Sequence, residues 1–224
     1  MSRTWALVPL NSLARAKTRL EPSLKPSDRR ALMLAMAKDV LTALTGVPAI
    51  ERTILVSNEP EAGRILCERS LEVFYSTVHE GLNRELEHAA AYAAAQGAER
   101  VLILHADLPR VTPEVLQDFI AGCPAGSVSA AGCKLASGTN ALLAPLPLPL
   151  PLVFGVNSLQ RFRDGAAANG LDLHVVEDLR LSLDIDSPVD LERLLDAPGA
   201  DPLPGAATLN LLERMIQGRT GVTG

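Results

Sequence analysis

Aromatic residues make up only 3% of this 224-residue chain, so its core has to be built from Leu, Val, Ile and Ala. That composition suits helices packed on a sheet better than a β-sandwich. Cysteine is also scarce. Cys67, Cys123 and Cys133 are odd in number, widely spaced and without a Cys-x-x-Cys pair, which argues against a disulfide framework or a zinc site and for reduced thiols in the cytoplasm. No apolar stretch approaches a membrane span, and the start, Met-Ser-Arg-Thr-Trp, lacks a signal-peptide core. The net charge of −5 offers no general attraction to nucleic acid or an anionic membrane. An anionic substrate must therefore be met locally, by a few bases, backbone N–H groups or a metal. Neither Gly-x-Gly-x-x-Gly nor a Walker loop is present, so a Rossmann dehydrogenase and a P-loop enzyme are both unsupported.

What is present centres on Val101-Leu-Ile-Leu-His105-Ala-Asp107-Leu-Pro109. Four aliphatic residues in a row, with no polar alternation, read as a central strand covered on both faces. Asp107 then falls at the strand's C-terminal end, where open α/β sheets bind ligands. The competing reading of Asp107 is a turn cap. Thr112-Pro113-Glu114 supplies an N-cap, a first-turn proline and a first-turn acid, and a helix should start there.

Upstream, the pattern predicts a strand at 4–10, a helix capped by Ser27-Asp28 and running to about Leu44, and a strand at 53–57. A short helix at 59–69, a strand at 72–76 and an alanine-rich helix opened by Gly81-Leu82-Asn83 and ending near Gln96 come next. That β-α alternation predicts an α/β fold, a single-domain, mostly parallel doubly wound sheet. Further strands are expected at 127–133, 139–144 and 173–176, and a helix from Asn157-Ser158 to about Asn169. The alternating prolines of 145–151 should hold an extended, polyproline-like surface segment: a lid, a docking segment or a stiff connector. Residues 1–196 form the predicted domain. Residues 197–224 form a linker and tail, with a possible helix at 208–217.

Leu183-Asp184-Ile185-Asp186 is the second informative stretch. In a strand, Leu183 and Ile185 would face the core while both aspartates face the other way, roughly 6.5–7 Å apart at Cα. Ser187-Pro188-Val-Asp190 then caps and starts a helix. With Asp107 this gives three carboxylates at strand ends, an arrangement that binds Mg²⁺ beside a phosphate ester; a solvated edge is the alternative. Arg15, Lys17 and Arg19, a basic loop after the first strand, fit the triphosphate side of such a site, with an exposed basic loop as the alternative.

Taken together, Lys-Thr-Arg-Leu at 17–20, Gly81-Leu82-Asn83, Ala106-Asp107-Leu108-Pro109, Gly138-Thr139-Asn140-Ala141-Leu142, Phe154-Gly155-x-x-Ser158 and Leu183-Asp-Ile-Asp-Ser-Pro-x-Asp-Leu191 resemble the guanylyltransferases of deazaflavin coenzyme F-420 biosynthesis. The resemblance covers residues 4 to about 195. It implies a fold of the nucleotide-diphospho-sugar transferase type, and GMP transfer from GTP to 2-phospho-L-lactate, phosphoenolpyruvate or 3-phospho-D-glycerate. It further implies Mg²⁺ on Asp107, Asp184 and Asp186, and the acceptor on Thr139, Gly155 and Ser158. Asp107 and Lys17 are then the expected catalytic residues, and Arg15, Lys17, Arg19 and Asn83 the expected nucleotide contacts, although an N-cap is Asn83's ordinary role. The expected partners are GTP and a small phosphorylated acid, with transient handoff to the next enzyme. The chain departs from the family in having His105 before Ala-Asp-Leu-Pro, read as a packing residue, and Lys134 to Ser137 before Gly-Thr-Asn. Alternatives are a sugar-phosphate or molybdopterin nucleotidyltransferase of the same fold and a non-catalytic nucleotide-binding protein.

Overall fold

Trp5, Ala6, Leu7 and Val8 are each at most 1% exposed, which places β1 (Thr4–Pro9) at the middle of the protein. The computed structural model describes residues 3–10, 13, 17–66, 71–76, 80–133, 138–195 and 205–220. In chain order β1 is followed by α1 (Pro26–Thr45), β2 (Ile50–Ser57), α2 (Pro60–Leu66), β3 (Glu72–Tyr75), α3 (Leu82–Ala95), β4 (Arg100–Leu104) and α4 (Pro113–Ala121). Then come β5 (Val128–Gly132), β6 (Thr139–Pro145), α5 (Ser158–Ala168), β7 (Leu173–Val176), α6 (Leu179–Ser182), α7 (Pro188–Leu195) and α8 (Ala206–Thr220). The seven strands form one sheet in the order β3-β2-β1-β4-β6-β5-β7. All pairs are parallel except those of β6, which runs against both β4 and β5. The reversal brings the start of β6 to the edge where β1, β4 and β5 end.

Alternation along β1 divides the core in two. Ala6 and Val8 join Leu32, Met36, Leu44, Leu116 and Phe119 beneath α1 and α4. Trp5 and Leu7 join Leu86, Ala90 and Phe162 beneath α3 and α5. Each such Leu or Phe contributes about 1.5–3 kcal/mol by leaving water.

Three local expectations change. The α1 N-cap is Lys25, with Pro26 in the first turn and no capping side chain; Ser27 and Asp28 lie inside the helix, because proline's fixed φ suits the first helical position better than it suits the cap. Residues 183–186 are not a strand but an irregular segment after the four-residue α6. The proline run is not wholly a surface segment. Leu150 and Leu152 are 6% and 5% exposed, and Leu146 and Leu148 pack on the α3-side core, so the run is a strap whose leucines face inward.

The C-terminal helix is docked. Leu212 is 4% exposed in the α1-side core, and the N–H groups of Ala207 and Thr208 donate to the two oxygens of Asp39 on α1, at 2.9 and 2.8 Å. Asp39 thus caps α8 from another helix. A Cβ on Gly205 would collide with the Asp39 carboxylate, so glycine is needed for this approach. Asp39→Ala should destabilise the protein by about 1–2 kcal/mol, the usual cost of a lost cap; the midpoint of urea unfolding measures it. An unchanged midpoint would mean that α8 contributes no stability through this contact. No described helix is long and apolar enough to cross a membrane.

Candidate active site

Asp107 lies in the turn just beyond β4, and its carbonyl accepts the Ile185 N–H at 3.3 Å. Ile185 is 3% exposed, which fixes the irregular segment with Asp184 and Asp186 on either side of a buried anchor. Oxygens of Asp107, Asp184 and Asp186 come within 4.8 Å of one another. The two aspartates therefore converge as the sequence suggested, although through an irregular segment rather than a strand. Ser187 and Asp190 complete the support with a reciprocal cap on α7. Asp190 Oδ2 accepts from Ser187 N–H at 2.8 Å and Oγ–H at 2.6 Å, and Ser187 Oγ accepts the Asp190 N–H at 3.3 Å.

Lys17 closes the cluster. Its Nζ donates to Asp107 Oδ2 and to Asp186 Oδ1, each at 2.5 Å. Its backbone is left-handed, φ 53°, where the chain turns into a single 3-10 turn anchored by fully buried Leu20. A non-glycine residue there costs roughly 1–2 kcal/mol, which the two ion pairs help to offset. Arg19 is 76% exposed, with Nη1 3.9 Å from Asp186 Oδ2, at the rim of the cluster. Arg15 lies outside the described residues.

Burial alone would lower the pKa of Lys17, but Asp107 and Asp186 outweigh it and hold the ammonium above its ordinary value. Burial pushes Asp107 up, and Lys17, helped by His105, more than reverses this, so Asp107 stays below the usual carboxylate range. Asp184 lacks the lysine. Burial raises it, Asp107 and Asp186 add to the rise, and the hydrogen bond from Cys133 only moderates it. Burial lowers His105, whose ring packs at 5.2 Å on Phe154. A neutral packing imidazole fits the sequence reading.

Two supporting residues have no role in the sequence reading. Cys133 Sγ donates to Asp184 Oδ1 at 2.7 Å, and Asn140 Nδ2 reaches the same oxygen at 3.4 Å and the Leu181 carbonyl at 3.0 Å. The only sequence signal for Asn140 is its place beside Thr139 in Gly-Thr-Asn; nothing marks Cys133.

The donor set suits a hard divalent cation. It is all carboxylate, and Asp107 Oδ1 is buried with no hydrogen-bond partner among the described residues. Because Asp184 takes up a proton more readily than an ordinary aspartate, its loss as a ligand on acidification should set in at a higher pH than an ordinary aspartate would dictate, and apparent Mg²⁺ affinity should weaken with it. Titrating Mg²⁺ at a series of pH values in the wild type and in Asp184→Asn tests this; a pH dependence unchanged in the variant would remove Asp184 from the ligand set.

The second half of the site surrounds the start of β6. Thr139 and Ser158 are 2% and 0% exposed, and Ser158 Oγ donates to Thr139 Oγ1 at 2.9 Å. Ser158 opens α5, and its N–H donates to the Gly155 carbonyl at 3.2 Å. Gly155 has φ 125°, a conformation closed to side chains, and faces open space. The structure thus brings Thr139, Gly155 and Ser158 together beside a helix N-terminus, a place that favours anions. Asn83 is not the N-cap of α3, a place taken by Gly81; both ends of its amide bond the backbone of Phe154.

Comparison with known proteins gives the family and the fold type. Residues 4–200 match the family model described as "Guanylyl transferase CofC like". The phosphoenolpyruvate guanylyltransferase of Sphaerobacter thermophilus is 35% identical over 192 residues, 85% of this chain and 92% of that protein. The 2-phospho-L-lactate guanylyltransferase of Methanothermobacter thermautotrophicus is 28% identical over 86% of this chain and 84% of its own length. Among solved structures, a candidate nucleotide-diphospho-sugar transferase from Desulfovibrio desulfuricans G20 superposes with a TM-score of 0.79 at 17% identity, covering 98% of each chain. A nucleotidyl transferase from Methanothermobacter gives 0.66 at 19%, over 88% of this chain and 97% of that one. At those identities the structural likeness speaks for the fold, and it is the nucleotide-diphospho-sugar transferase type. With the family model spanning nearly the whole domain and relatives above 30% identity aligned along most of their length, the chain belongs to the CofC-like guanylyl transferase family.

Proposed function

We propose that the protein transfers GMP from GTP to a phosphorylated three-carbon acid, releasing pyrophosphate, in the biosynthesis of coenzyme F-420. The observation that carries this reading is the juxtaposition, at one edge of the sheet, of a three-carboxylate cluster closed by Lys17 and the group formed by Thr139, Gly155 and Ser158 at a helix N-terminus.

Asp107, Asp184 and Asp186 would hold Mg²⁺, which supplies neutralisation of the charge developing on the phosphoryl oxygens. Lys17 and Arg19, with Arg15 of the same loop, meet the triphosphate. Gly155 lets the acceptor approach the backbone closely, and the Thr139 and Ser158 hydroxyls orient it. An oxygen of the acceptor's phosphate then bonds to the α-phosphorus of GTP while the bond from that phosphorus to the bridging oxygen breaks, and pyrophosphate takes the electron pair. The acceptor is already ionised, so no general base is required. Positioning and electrostatics do the catalysis. We place this chemistry in residues 1–196 and in the cytoplasm, where the thiols of Cys123 and Cys133 would stay reduced. The activated product calls for prompt handoff to the enzyme that consumes it.

The test is pyrophosphate release with GTP and Mg²⁺ in the presence of phosphoenolpyruvate, 2-phospho-L-lactate or 3-phospho-D-glycerate, with ATP and CTP as controls. Phosphoenolpyruvate is the acceptor to try first, after the relative of higher identity. Release that requires GTP and one of the acids is expected. GTP binding without turnover on any acid would instead indicate a nucleotide-binding protein.

A further inference from the structure

The Asn83 amide meets Phe154 in a closed pair of bonds. Nδ2 donates to the Phe154 carbonyl at 3.1 Å, and Oδ1 accepts the Phe154 N–H at 2.8 Å. The backbone offers one donor and one acceptor at fixed spacing, so the amide orientation is set by its partners. One helical turn on, Glu87 Oε1 accepts the Leu152 N–H at 3.0 Å. The side chains of α3 thus bond the 152–154 segment much as a neighbouring strand would. Phe154 is 5% exposed and wedged between His105 and Phe162, each ring centroid 5.2 Å away.

Immediately after Phe154 the chain enters the loop that leads into α5. Gly155 comes next, its carbonyl accepts the Ser158 N–H, and Ser158 Oγ reaches Thr139. Gly155 has no side chain to anchor it, and Val156 beside it is 84% exposed. The loop is therefore held from its upstream side by Phe154, and Phe154 is held by Asn83. We infer that Asn83 is a positioning residue that sets the acceptor-binding loop from across the site, rather than a contact to the nucleotide. Glu87 supports it one turn along α3. With Thr139, Gly155 and Ser158 taken as the acceptor-binding residues, this role for Asn83 rests on the function proposed above.

The variants are Asn83→Ala, which removes both bonds, and Asn83→Asp, which keeps the acceptor for the Phe154 N–H but turns a carboxylate oxygen toward its carbonyl. Acceptor KM should rise about tenfold or more in the alanine variant and less in the aspartate variant. GTP KM, and the GTP Kd measured by calorimetry without turnover, should move less than about twofold. A residue that merely stabilised the fold would not divide the two substrates in this way. A rise confined to GTP, equal rises for both substrates, or no rise in either would overturn the inference. Backbone hydrogen exchange gives a readout independent of turnover. Asn83→Ala should accelerate exchange across residues 152–158 while leaving 101–107 protected, and unchanged exchange at 152–158 overturns the inference even if the wild type turns over no acceptor. That last failure, seen in the wild type itself, would count against the proposed function instead. If the alanine variant does not fold, the aspartate variant carries both measurements; if neither folds, Asn83 serves global stability and the inference falls.

Discussion

Replacing Asp107 with asparagine should lower turnover by roughly 10²–10³-fold while the protein stays folded. The substitution keeps size and shape, removes one of three negative charges held within 4.8 Å, and leaves Lys17 paired with Asp186 at 2.5 Å. Folding should therefore change by no more than about 1–2 kcal/mol. The loss falls on the chemistry, because the amide cannot supply the charge that an incoming cation needs at Asp107 Oδ1, the buried oxygen with no other partner among the described residues. Pyrophosphate release, a thermal midpoint and a Mg²⁺ titration on one preparation separate these effects. Near-full turnover at limiting Mg²⁺ would remove Asp107 from the site. The pH profile adds a second check. Asp107 is held below its ordinary 3.8, so its contribution to stability is complete above that value and fades only as pH falls through its lower folded pKa. Lys17 is held above 10.5, so its contribution is complete below that value and fades only as pH rises through its higher one. Between those limits the pair stays charged, and Asp184, raised where Asp107 is lowered, is the carboxylate of the cluster that protonates first on acidification.

How much of this was legible depends on whether a feature is written locally. Thr112 caps α4 by accepting the Val115 N–H, as its sequence context implied, because capping needs only neighbours three residues apart. The reciprocal cap of Ser187 and Asp190 is local in the same sense. The burial of Val101 to Leu104 followed from four aliphatic residues with no polar face. The reversal of β6 was not legible. Asn140 to Ala144 are buried on both faces, and a strand buried on both faces carries no record of its direction. Yet that reversal is what brings Thr139 and Asn140 to the carboxylates. The four residues of α6 are too few to show a helical period, and the strand expected at 183–186 failed because a buried Ile185 between two aspartates imitates alternation. Asn83 is not the N-cap that its place at the start of α3 implies. Its amide bonds Phe154, 71 residues away, and no spacing rule reaches that far.

Lys17→Met should produce the other large effect, and it should show twice. Turnover should fall by about 10²-fold or more, since the variant loses the charge that faces a triphosphate. The ion-free protein should also lose about 1–3 kcal/mol. Breaking a buried pair costs more than that, but Asp186 is 43% exposed and water recovers part of its charge. These two losses respond differently to a divalent cation. In the wild type the ammonium already occupies Asp107 Oδ2 and Asp186 Oδ1, so a metal ion drawn to those oxygens must compete with it. In the variant the carboxylates lose the ammonium that bridges them and keep, among the described residues, only exposed Arg19 at the rim, so a metal ion relieves their repulsion directly. Adding Mn²⁺ or Mg²⁺ without nucleotide should therefore raise the thermal midpoint of Lys17→Met more than that of the wild type, by the mass action of a ligand that binds only the folded state. Equal shifts in the two proteins would mean that the ion enters through Asp107 Oδ1 and Asp184 without displacing the lysine. A larger shift in the variant, with turnover still lost, would give Lys17 two separable duties: counter-ion to the carboxylates before a metal ion binds, and cation for the triphosphate once the metal ion has taken them over.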